Sequence, residues 1–382
     1  MRFYNIPDVD RIPDNWSQFF DYQEDLDYLR REAARIDFDF DNVIVIGNGG
    51  SVTSLKAFSG ALCSDNNLWV VDSMDPALLR KVKRECPSDK TAVVAISKSG
   101  NTLGVIEALM EFTSYKTIVV TEAEEGVLRQ IAKNMDWQVV EHPNISGRYS
   151  GATSAGLFPA LLAGIKIDDL AAGITSGYRY KKQAYGLAKY YFDQERDGKS
   201  EVYISCYSWL LTNFRTLIVQ LMHESVCKEG CGQTFYFSEA PESQHHTNQR
   251  FFGGKKNVIG TFIITREWFD LSAGRHGDEK IAVPQKIADL KLKGLELKKL
   301  NNISYQQALL AEYTGTKKEA DRLKIPNITL ELTEITEETV GELLAFWQLV
   351  AFYSALLHDV DPFNEPAVES SKNITIEEIK KL

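Results

Sequence analysis

Short apolar runs separated by amphipathic stretches set the rhythm of this chain. Val43-Ile44-Val45-Ile46, Leu68-Trp69-Val70-Val71, Ala92-Val93-Val94-Ala95-Ile96, Thr117-Ile118-Val119-Val120 and Trp137-Gln138-Val139-Val140 come first. Between them, helical patterns run to about Leu62, over Pro76–Glu85, to about Phe112 and over Glu124–Asn134. Apolar strands alternating with helices predict a parallel sheet covered on both faces. A second series follows. Its strands are Glu201–Ser205, Thr234–Phe237, Val258–Ile264 and Ile328–Leu332. Its helices are expected over Trp209–Ser225, Tyr305–Thr314 (within a mixed region, 283–325) and Glu337–Leu357. The predicted class is α/β, with two αβα sandwich domains on parallel sheets and helical segments at both ends.

The same pattern divides the chain. Residues 1–40 hold one helix, Trp16–Ile36; 41–165 form the first α/β domain; 166–195 read as a helical connector, polar on one face. Residues 196–360 form the second domain, and 361–382 a short charged tail carrying Lys372.

Composition narrows the function class. A chain of 382 residues has room for two medium domains. Its 44% hydrophobic and 25% charged content is that of an ordinary globular protein. A net charge of −10 argues against a nucleic-acid surface. It leaves room for a small anionic ligand held by local cations and backbone amides. The start, Met1-Arg2-Phe3-Tyr4-Asn5-Ile6-Pro7, has no apolar leader, and the longest apolar run noted, Leu157–Ile165, is too short to span a bilayer. The five cysteines, Cys63, Cys86, Cys206, Cys227 and Cys231, are odd in number and scattered, unlike a disulfide framework. A cytoplasmic protein with no membrane or nucleic-acid partner is expected.

Candidate chemistry lies in the turns. Gly47-Asn48-Gly49-Gly50-Ser51 joins a strand to a helix, where glycines let the backbone approach an anion at the helix N-terminus. Ser97-Lys98-Ser99-Gly100-Asn101-Thr102 is a second such turn, offering hydroxyls and amides to a phosphomonoester. Either alone reads equally as an ordinary cap or tight turn; two after strands of one sheet favour a sugar-phosphate site. Neither has the spacing of a dinucleotide or ATP loop. Arg148, after Gly147, can hold a phosphate or a developing oxyanion. The stretch Glu224–His245 supplies a carboxylate and a histidine, the minimum kit for moving protons at carbon and oxygen. His223, Cys227 and Cys231 recur at helical spacing and raise a metal site, but the series has no evident fourth ligand and suits buried thiols better.

In this order, Gly147-Arg148-Tyr149-Ser150, Glu224-Ser225 with Lys228, Gln244-His245, and Pro362-Phe363 followed by Pro366-Ala367-Val368-Glu369 and Lys372 resemble the phosphoglucose isomerase family, built from two sugar-isomerase (SIS) domains. The resemblance spans about Gly47 to Lys372. It implies aldose–ketose isomerisation of glucose 6-phosphate and fructose 6-phosphate, without metal or redox cofactor, in a homodimer. Ser51, Ser97, Ser99 and Thr102 would hold the phosphate with Lys98, and Gly49, Gly50, Gly147 and Gln244 would line the substrate. Arg148 would stabilise a cis-enediolate, Glu224 would move the proton between C2 and C1, and His245 would open the sugar ring with Lys372 as its partner. In this family a neighbouring subunit usually supplies the histidine. One departure stands out: Glu365 occupies a position where the family usually has glutamine, which puts phosphate contacts from that loop in question. The alternatives are a bifunctional glucose/mannose-phosphate isomerase and a non-catalytic SIS module that binds a sugar phosphate.

Overall fold

A computed structural model of the chain describes residues 1–382 apart from 15–16, 63–66, 123–125, 268, 271–274 and 277–278. The chain opens on β1 (Arg2–Tyr4) and α1 (Leu26–Ala34). The apolar runs of the first half then become β2 (Asn42–Ile46), β3 (Asn67–Val71), β4 (Thr91–Ile96), β5 (Lys116–Thr121) and β6 (Gln138–Glu141). Between them lie α2 (Gly50–Leu62), α3 (Pro76–Glu85), α4 (Leu103–Met110) and α5 (Val127–Asn134), and α6 (Ser154–Leu162) follows. The strands pair in the order β3-β2-β4-β5-β6, every neighbour parallel. Both faces are covered: alternate residues of β2 enter two different apolar clusters, Val43 and Val45 in one, Ile44 and Ile46 in the other.

The second half runs through α7 (Ile167–Gly177), α8 (Lys181–Arg196), β7 (Glu201–Tyr207), α9 (Phe214–Val226), β8 (Thr234–Glu239), α10 (Thr247–Gly253) and β9 (Val258–Thr265). Two small hairpins follow, β10 (Phe269–Asp270) with β11 (Arg275–His276) and β12 (Lys291–Leu292) with β13 (Leu295–Glu296). Then come α11 (Tyr305–Arg322), β14 (Asn327–Leu332), α12 (Glu337–Leu357) and α13 (Pro366–Ile379). The sheet order is β1-β14-β9-β7-β8, parallel except where β1 joins antiparallel at the edge.

One core binds the two halves. Val52, Leu55 and Phe58 of α2 lie in the same buried cluster as Leu217 and Leu221 of α9 and Leu344 and Trp347 of α12. Helix α12 is long and apolar enough to cross a membrane by length and composition, so the longest apolar stretch is here and not at Leu157–Ile165. Residues Val340–Ala355 are all buried inside this protein, which makes it a core helix. Its Gln348, fully buried, accepts from Tyr178 Oη (2.9 Å) and donates to the Tyr149 carbonyl (3.2 Å), tying α12 to the segment after β6.

Several expected elements differ. Trp16 lies outside the described residues, and the helix expected from it to Ile36 is a short 3-10 turn, Gln18–Asp21, followed by α1. The break comes where Glu24 turns inward to accept from Ser154 N–H (2.5 Å) and Tyr22 Oη (3.0 Å). The helix expected from Glu124, a residue outside those described, begins at Val127 behind the extended Gly126. Helix α11 continues past Thr314 to Arg322: Gly315 faces open space, and the buried Thr316 and Ala320 carry the pattern on. Helices α7 and α8, expected as a connector, bury Leu170, Ile174, Ala184 and Leu187 in the core beside α12.

Candidate active site

Helix α9 turns Leu217, Ile218, Leu221 and Met222 into the core. Gln220 and Glu224, four apart, therefore share its other face. Gln220 Nε2 donates to both oxygens of Glu224 (3.0 and 3.1 Å), while Gln220 Oε1 accepts from Thr53 Oγ1 on α2 (2.9 Å). The carboxylate is thus aimed by a second helix. It is 32% exposed and so open to a ligand.

The glycine turn after β2 lies against this group. Gly49 has φ +55°, and a Cβ there would stand 2.9 Å from Gln220 Nε2. A Cβ on Gly50 would meet Arg148 N at 2.2 Å. Side chains at both positions would push the turn away from the carboxylate.

Arg148 follows β6 in the 3-10 turn Gly147–Ala152 and is 2% exposed. A buried guanidinium needs every donor met, and here they are. Nε donates to Ser225 Oγ (3.1 Å), and Nη2 to the carbonyls of Pro362 (2.8 Å) and Asn364 (2.9 Å). Nη1 is shared by Glu365 Oε2 (2.8 Å) and Glu224 Oε2 (3.2 Å). The Glu365 carboxylate, which a phosphate would have repelled, is paired with arginine. Phe363 seals the clamp against Tyr149 and Phe19, with ring centroids 5.4 and 5.6 Å apart. Burial pushes the Tyr149 hydroxyl up to about 12, and it bonds Ser225 Oγ at 3.0 Å. The Lys228 ammonium meets the Asp361 carbonyl; partial burial, and then the Arg148 charge, hold it below the usual lysine value.

The second turn stands beside the first because β4 neighbours β2. A Cβ on Gly104 would be 3.0 Å from Asn48 Oδ1. Ser97 Oγ and Thr102 Oγ1 are 3.0 Å apart, and Ser99 Oγ accepts from Asn101 N–H (3.2 Å). Thr102 is the N-cap of α4 but makes no side-chain cap bond, leaving the first amides of that helix to a ligand. Lys98 points to Asn144 Oδ1 (2.7 Å) and Glu122 Oε1 (3.3 Å), so part of its charge is already balanced. Ser51 lies in the first turn of α2, next to the glycine turn.

Gln244 and His245 are elsewhere in the chain. They sit after β8 on a cavity of about 820 Å³, lined also by Asn248, Phe252, Glu312 and Thr316, and Gln244 Nε2 donates to Glu312 Oε2 (2.9 Å). Among the described residues, neither Arg148 nor Glu224 lines that cavity. Lys372 is also apart: it is 57% exposed on α13 and pairs with Glu369 (2.6 Å). None of the 14 residues of α13 is buried. Contacts within one chain join Arg148, Glu224 and the two turns; among the described residues no hydrogen bond or ion pair joins His245 or Lys372 to them. As for the metal question, His223 Nε2 accepts from Phe235 N–H (2.9 Å), which uses the lone pair a metal would take. Cys227 and Cys231 direct their thiols to the carbonyls of Gln233 and Lys228.

Sequence reasoning missed Gln220 and Thr53, which orient the carboxylate, although the four-residue spacing of Gln220 and Glu224 was available to find the first. It named Glu365 without its partner.

No family model matches the chain. A probable glucose-6-phosphate isomerase of Haloarcula marismortui is 30% identical over 356 residues, 88% of this chain and 78% of that protein. The glucose-6-phosphate isomerase of Methanocaldococcus jannaschii is 27% identical over 360 residues, 90% of this chain and 85% of that one. Two solved structures share the fold. A hypothetical protein of Thermus thermophilus has TM-score 0.81 at 23% identity, covering 95% of this chain and 89% of that one. A glucose-6-phosphate isomerase of Chlamydia trachomatis has TM-score 0.73 at 19% identity, covering 93% of this chain and 72% of that one. With a relative this similar along most of both chains, and an arginine-held carboxylate beside two Gly/Ser turns, the chain belongs to the glucose-6-phosphate isomerase family.

Proposed function

We propose that this chain interconverts glucose 6-phosphate and fructose 6-phosphate through a cis-enediolate, with Glu224 as the base and Arg148 as the cation at the oxyanion. The carrying observation is the Glu224 carboxylate held between Gln220 and the buried Arg148 at the edge of the glycine turn. Ser51, Ser97, Ser99 and Thr102 take the phosphate, with Lys98 turning from Asn144. Gly49, Gly50, Gly147 and Gln244 line the sugar. In the open-chain aldose, Glu224 removes the C2 proton, and the electron pair moves to form the C1–C2 double bond and place negative charge on the carbonyl oxygen. Arg148 stabilises that charge. Glu224 then returns the proton to C1 while the C2 hydroxyl proton passes to the C1 oxygen, leaving a ketone at C2 and a hydroxyl at C1, so protons and electrons balance.

Ring opening needs a proton shuttle at oxygen, and His245 is assigned to it with Lys372. Since no hydrogen bond or ion pair among the described residues joins them to Glu224, we assign His245 to the neighbouring copy of a homodimer working in the cytoplasm. His245→Ala is expected to cut turnover of the closed-ring sugar at least about tenfold more than that of an open-chain substrate. Rates measured on both forms decide it: equal losses would remove the ring-opening role.

The direct test is a coupled assay for fructose 6-phosphate formed from glucose 6-phosphate. Turnover supports the reading, and an inactive, folded protein points to a non-catalytic sugar-phosphate module. Mannose 6-phosphate in the same assay tests the bifunctional reading.

A further inference from the structure

We infer that Glu365 is a resident anion for Arg148: before substrate arrives it occupies the guanidinium nitrogen that the enediolate oxygen takes during turnover. It is thereby a positioning residue that weakens binding of ligands carrying negative charge at that point. The inference rests on the isomerase reading above and adds a residue to it.

The geometry separates the three guanidinium nitrogens. Nε is committed to the buried Ser225 hydroxyl, and Nη2 to the backbone carbonyls of Pro362 and Asn364. Neither set can leave without moving a helix or the chain itself. Nη1 alone faces two side chains that are partly exposed, Glu224 at 32% and Glu365 at 35%. A ligand oxygen reaching Arg148 must share or replace one of them. Glu224 is held in place from behind by Gln220 Nε2. Glu365 has no such second bond among those described, and it is the one free to yield.

The position of Glu365 in the chain supports this. It is the N-cap of α13, a position where the usual capping side chains, Ser, Thr, Asp and Asn, accept from the first helix amides. Its side chain makes no cap bond. It reaches back to Arg148 instead, leaving the start of the helix without that stabilisation. The charges meeting here are two positive, Arg148 and Lys228, and three negative, Glu224, Asp361 and Glu365. A sixth charge on an incoming oxyanion adds to a cluster that already carries a negative excess. Glu365 keeps the buried guanidinium neutralised and oriented until a ligand arrives, and opposes that ligand if it is anionic.

The test uses two analogues of the open-chain sugar phosphate. One is a phosphorylated aldonic acid, whose carboxylate mimics the enediolate; the other is the matched phosphorylated alditol, neutral at that end. Their dissociation constants are measured by calorimetry for the wild type, Glu365→Gln and Glu365→Asp. Glutamine keeps an acceptor for Nη1 and removes the charge. The expected result is aldonate binding tighter by about three- to tenfold in Glu365→Gln, with alditol binding changed by less than about twofold. Glu365→Asp, which keeps the charge, should retain the wild-type ratio of the two constants. A Glu365→Gln ratio equal to wild type overturns the inference, because a merely structural role moves both ligands together. Wild-type turnover of glucose 6-phosphate is scored separately, so failure of the isomerase reading is seen there and not in this ratio.

Discussion

Glu224→Gln is expected to lower kcat about 10³-fold, the size of a positioned general base, while leaving binding of a phosphorylated inhibitor within a few-fold of wild type. The amide keeps the shape of the carboxylate and an oxygen able to accept from Arg148 Nη1 or Gln220 Nε2, now 3.2 and 3.0 Å away. What it lacks is the ability to take a proton from carbon. Because Gln220 and Thr53 fix that side chain from α9 and α2, the variant should fold and melt like the wild type. Steady-state rates with inhibitor titration separate the outcomes. Turnover at the wild-type rate means another group is the base, and lost inhibitor binding means the carboxylate serves binding instead.

Arg148→Lys carries the second large effect, and it is felt twice. A lysine has no planar fork, so it cannot serve Ser225 Oγ, two backbone carbonyls and two carboxylates together. Removing most donors from so buried a group leaves those carbonyls and Glu365 short of partners, at a cost of about 3 kcal/mol. Thermal unfolding should therefore shift down by several degrees. At the chemical step, losing a preorganised donor at the oxyanion should lower kcat/KM by about 10²–10³-fold. An unchanged melt would contradict the clamp; an unchanged kcat/KM would contradict the oxyanion role.

The two sheets were legible because their central strands are apolar on both faces, the pattern expected of a doubly covered parallel sheet. Val43–Ile46 and Ala92–Ile96 stand out for that reason. β1 does not: three residues, partly exposed, become a strand only by pairing with β14 at the far end of the chain. α13 reads as a charged tail because it buries nothing, so no apolar stripe marks it. The break before α1 depends on Glu24 reaching Ser154, a contact no local pattern carries. Within the site, the glycine and serine turns and Glu224 could be read from their neighbours in sequence. The pairing of Arg148 with Glu365 joins residues 217 apart, and only the fold brings them together.

The most direct test of the Glu224 base is solvent exchange at carbon. Fructose 6-phosphate incubated with enzyme in deuterated water should yield glucose 6-phosphate with deuterium at C2, followed by proton NMR. The expected result is incorporation by the wild type and none above background by Glu224→Gln over the same turnover time. Exchange by Glu224→Gln at the wild-type rate would contradict it.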